Sequence, residues 1–93
     1  MELDTFELLE VDDTARRFTL KIVLRGVDRG TETQIVLEGL VFYYTGEATG
    51  SSWPGVALQR GDLEAIAWTT KQKAGEAATL LETRPEVVAV DVV

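Results

Sequence analysis

One stretch of this chain, Asp62 to Arg84, carries a helical period, while the rest reads as extended. Leu63, Ile66, Ala67, Thr70, Ala74, Ala77, Ala78 and Leu81 fall on one side of it at a spacing near 3.6 residues. A single helix among strands must bury its apolar side against a sheet, and that restricts the fold more than any other feature. Asp62 reads as the N-cap, Glu64 sits favourably in the first turn, and Pro85 stops the helix.

A second reading competes over the first turns. Residues 62–69, DLEAIAWT, can form a strand, with the helix starting near Thr70 and a capping box from Thr69 to Gln72. As a strand its inner face holds only Leu63, Ala65, Ala67 and Thr69, which is thin. The unbroken helical phase from Leu63 to Leu81 favours the long helix.

The other segments are strands. Residues 2–11 read as one, with a bulge near Leu8–Leu9, and Asp12-Asp13-Thr14 as a turn. Phe18, Leu20, Ile22 and Leu24 alternate cleanly with Thr19, Lys21, Val23 and Arg25. Val27-Asp28-Arg29-Gly30 supplies turn chemistry, so residues 17–44 read as a β-hairpin. A bulge at Gly39 places Ile35, Leu37, Leu40, Phe42 and Tyr44 on one face. Residues 45–54 form a loop, 55–59 a short strand, and 86–93 the last strand, apolar on both faces. The strand at 55–59, the helix and the strand at 86–93 then make a right-handed βαβ unit with one parallel pair. The expected fold is α+β in two layers over a single domain, residues 1–93. A mixed, mostly antiparallel sheet of about five strands is covered on one face by the helix 62–84.

Composition excludes more functions than it suggests. Cys and His are both absent, which removes disulfides, thiolate and imidazole metal sites, and Ser-His or Cys-His catalysis. The expectation is a protein that is not an enzyme and needs no cofactor or metal. A cytoplasmic location fits the lack of Cys, and neither a signal peptide nor a transmembrane run is apparent. The net charge of −7 is unevenly placed. Six acids and no base lie in residues 1–15, whereas ten acids and nine bases share the remainder. Nucleic acid and anionic membranes are therefore poor partners.

The candidate contact residues are acidic or aromatic. Glu7, Glu10, Asp12 and Asp13 form an acidic edge that either steers a basic partner or keeps an edge strand from pairing. Trp68, about 140° round the helix from Leu63, lies on its solvent side and fits an interface anchor. Alternatively the loop 45–54 folds over that side and covers it, and if residues 62–69 are a strand, Trp68 can be core. Trp53, in Ser-Ser-Trp-Pro-Gly, is either a loop anchor for a partner or a plug over the core. Tyr43 faces away from the helix if Phe42 and Tyr44 face it. Together these point to a non-catalytic acidic protein-binding module: an inhibitor, an immunity-type neutraliser or an adaptor. One alternative is a structural subunit of a homo-oligomer or larger, phage-type particle, because the last strand needs cover on both faces. Another is a small-molecule binder using Tyr43, Tyr44 or Glu38.

Overall fold

The computed structural model describes residues 17–93. It contains β1 (Phe18–Leu24), β2 (Gln34–Leu37), β3 (Leu40–Glu47), β4 (Leu63–Thr69), α1 (Lys71–Leu81) and β5 (Val87–Val92). The strands form one sheet in the order β2-β3-β4-β1-β5, and every neighbouring pair is antiparallel. The helix packs on one face, mainly over β5 and β1. The two-layer α+β architecture with about five strands is as expected. The expected strand at 2–11 and the acidic residues Glu7, Glu10, Asp12 and Asp13 lie outside the described residues.

The helix is shorter than its period suggested. Residues 63–69 are strand β4, and α1 starts at Lys71, capped by the Thr70 hydroxyl, which accepts from the Lys73 N–H. The cap is therefore one residue later than the Thr69–Gln72 box. The error has a geometric cause. Residues four apart share a face in a helix and in a strand, so Leu63 and Ala67 fit both periods. Spacings of two and three discriminate, and Ile66, three residues from Leu63, points to the opposite face from Ala65 and Ala67. The thin inner face of β4 is tolerated because it lies mid-sheet and carries the core between bulkier neighbours. Ala65 and Ala67 pair with Ile22 and Leu20 of β1.

Two connections also differ from expectation. β1 does not pair with β2, so 17–44 is not one hairpin; β1 is instead held between β4 and β5. The hairpin is β2–β3, and Glu38-Gly39, read as a bulge, is its two-residue turn between the paired Leu37 and Leu40. Both turn residues have positive φ, +50° and +76°, which gives a type I′ turn matched to the strand twist. The shared face survives this change: Ile35, Leu37, Leu40, Phe42 and Tyr44 all belong to or pack against the core.

Among the described residues no strands pair in parallel, because residues 55–59 form loop rather than strand. β4 and β5 do run in the same direction, connected by α1, but β1 lies between them as the antiparallel partner of both. This is a split β-α-β arrangement. Its core is Leu20, Ile22, Leu24, Leu37, Phe42, Ala65, Ala67, Ala77 and Leu81. Alanines at the helix–sheet contact allow close packing there.

Candidate interaction surface

The face of the sheet opposite α1 carries Thr19, Lys21 and Val23 of β1. β3 and β2 add Val41, Tyr43 and Val36, β4 adds Glu64, Ile66 and Trp68, and β5 adds Ala89 and Asp91. One part of this face is closed by the loop of residues 48–62, and the other part is open.

The closed part is built around Glu64. Trp53 is buried to 4% exposure, and its Nε1–H donates to Glu64 Oε2 at 3.0 Å. The Thr45 hydroxyl donates to Glu64 Oε1 at 2.5 Å. Lys21 Nζ lies 3.7 Å from Glu64 Oε2 and 5.1 Å from the centre of the Trp53 ring, over its face. Val23, cross-strand from Glu64, is fully buried although it points away from the helix, so the loop supplies its cover. Trp53 thus takes the plug role, with its indole N–H bonded to Glu64 and its ring face under Lys21. It does not belong to an exposed contact surface.

The loop is anchored at its base by an ion pair between the half-exposed Arg25 and the buried Asp62. Arg25 donates from Nε to Asp62 Oδ1 at 2.9 Å and from Nη2 to Asp62 Oδ2 at 2.8 Å. It also donates to the Ala57 carbonyl, while the Gln59 N–H donates to Asp62 Oδ2 at 2.8 Å. The guanidinium hydrogen bonds hold the Asp62 carboxyl below its usual range, against the opposing effect of burial. The same contact raises Arg25. Asp62, read from sequence as a helix N-cap, is therefore a loop clamp whose partner is 37 residues away.

The open part is apolar and aromatic. Tyr43 and Trp68 are 44% and 47% exposed, with ring centroids 5.8 Å apart and planes tilted by 41°. Tyr43 pairs across the strands with Ile66, and Val36 pairs with Val41; both valines are exposed. Strand alternation brings these side chains to one surface, which sequence reasoning identified only in Tyr43 and Trp68. Trp68 is exposed for a different reason than expected: it lies on the outer face of β4, not on the solvent side of a helix. Nor is it core, as the strand reading allowed, because nothing described covers it on the outer face. Val36 and Val41 were missed because an alternating valine in a hairpin has the same signature whether its face is covered or bare.

The polar groups of the small-molecule reading have other roles. Glu38 accepts from Arg84 Nη1 at 2.7 Å, bracing the hairpin turn against the end of α1. Tyr44 packs against the core beneath the Arg29 guanidinium, 4.9 Å from its ring centre, and burial raises its hydroxyl pKa. Among the described residues no three acids gather as a metal site, and no helix is long and apolar enough to cross a membrane.

Comparison with family models, curated proteins and solved structures found no match. The functional reading therefore rests on the surface alone.

Proposed function

We propose that this chain is a non-catalytic protein-binding module, an inhibitor, immunity-type neutraliser or adaptor, that docks a protein partner on the open half of its outer sheet face. The observation that carries the reading is the exposed Tyr43–Trp68 pair with Val36 and Val41 beside it. Contiguous exposed aromatic and aliphatic side chains cost solvation in a free monomer, and Trp and Tyr dominate interface energetics. The closed half gives the open half a rigid support, which lowers the entropy lost on binding.

The acidic stretch supports a partner with a basic rim. Arg17 donates to the Trp68 carbonyl at 3.4 Å, so the chain enters the sheet beside the patch. Asp13 is four residues earlier in the sequence. Glu7, Glu10, Asp12 and Asp13 would then speed encounter with a cationic surface in a salt-dependent way. The absence of Cys supports a cytoplasmic place of action.

The test is capture from the native host with the full chain as bait, comparing wild type with Trp68→Ala and Tyr43→Ala. The expected result is a protein recovered by wild type and lost with either variant. Recovery of nothing but the bait, or a partner retained equally by both variants, would overturn the reading.

A further inference from the structure

The sheet has two edges, and they differ. On β2 the hydrogen-bonded partners of β3 are Thr33, Ile35 and Leu37, so only Gln34 and Val36 turn their backbone groups outward. On β5 the exchange of hydrogen bonds between Thr19 and Val93 fixes the alternation. Val93, Asp91 and Ala89 bond to β1, and Val92 and Val90 point their N–H and C=O groups away from the sheet; at Val88 the register against β1 shifts by one residue. That edge is β-branched and contains no Lys or Pro; the register shift at Val88 and the charge of Asp91 protect it only in part.

We propose that β5 pairs antiparallel with β5 of a second copy of this chain, giving a twofold dimer with one continuous sheet. Centred on Val90, this pairing uses the outward groups of Val90 and Val92 and brings Val92 to the register shift at Val88 of the second copy. It also sets Asp91, the strand's one charge, against Ala89 of the second copy rather than against itself. Each Asp91 keeps Lys21 as its cross-strand neighbour on β1. A register centred on Asp91 would oppose like charges, which disfavours it.

The helix layer fits the same axis independently. One flank of α1 faces the β2–β3 hairpin: Lys73 Nζ lies 3.7 Å from where a Cβ on Gly39 would sit, and Arg84 binds Glu38. The opposite flank, above the β5 edge, carries Lys71, Gly75, Ala78 and Glu82. Strands are about 4.8 Å apart. A helix lying over β5 and β1 therefore meets its twofold mate at roughly 10 Å, the separation of packed helices. Gly75 and Ala78 permit that approach. The helices run antiparallel, so Lys71 lies near Glu82 of the second copy at each end. Neither residue has an ion-pair partner among the described residues. The dimer leaves both Tyr43–Trp68 patches free on the opposite face, so it would be bivalent for its partner. The proposal does not depend on that partner.

Sedimentation of the full chain over a range of concentrations tests it. Wild type is expected to be a reversible dimer. Val92→Pro removes an outward N–H that has no partner among the described residues, and is expected to give monomer with an unchanged circular dichroism spectrum. Lys71→Glu should weaken association by about two- to fivefold, as for an exposed ion pair, and Lys71→Glu with Glu82→Lys should restore it. Trp68→Ala should leave the dimer unchanged. A wild-type monomer at the highest attainable concentration would overturn the proposal. So would failure of the charge swap to restore association, a folded Val92→Pro dimer, or loss of the dimer in Trp68→Ala.

Discussion

Trp53 and Trp68 have the same side chain and opposite fates, decided by what their neighbours offer. Trp53 has a carboxylate for its indole N–H and a lysine over its ring, so it can be buried; Trp68 stacks at a tilt against the similarly exposed Tyr43 and stays half exposed. Trp53→Phe keeps most of the apolar volume but leaves Glu64 Oε2 without that donor. It should lower the unfolding free energy by about 1–2 kcal/mol in urea titration. Asp62 supplies the pH dependence. Its folded-state pKa is depressed by Arg25, so its contribution to stability is present above the unfolded value near 3.9 and is lost as pH falls through the lower folded value. Acid unfolding followed by tryptophan fluorescence should therefore show a steep arm below about pH 4 that flattens in Asp62→Asn. An unchanged acid arm would remove Asp62 from the account.

Elements were legible where one period acted alone. β1 alternates strictly, β5 is a continuous apolar run before which Pro85 stops the helix, and both were readable. The face shared by Ile35, Leu37, Leu40, Phe42 and Tyr44 was readable too, although the turn that creates it was taken for a bulge. The β4–α1 boundary was not legible, because Leu63 and Ala67 satisfy two periods and alanine has high helix propensity. Asp62 was beyond local reasoning for another reason: an Asp before an apolar run resembles an N-cap, and nothing nearby announces Arg25. The hairpin turn gives a direct check at this scale. Gly39→Ala forces a Cβ into the left-handed region at φ +76° and should cost about 1–2 kcal/mol. The loss should appear in the denaturation midpoint without a change in slope.

At the scale of the whole molecule, a five-strand sheet with one helix has one covered face and one face to account for. The loop of residues 48–62 accounts for part of the second face, and the exposed aromatic pair marks what is left. Which residues meet on that face follows from register, a non-local property; that the face is only half covered depends on where the loop's clamp, Arg25–Asp62, sets it down. The proposed function turns on this half-covered face. Replacing Tyr43 with a photoreactive phenylalanine analogue, in the full chain expressed in its native host, reports on it directly. The same replacement at exposed Thr79 of α1 is the control. A covalent adduct to another polypeptide from position 43 and not from position 79 is the predicted result. No adduct at position 43, or the same adducts from both positions, would contradict it.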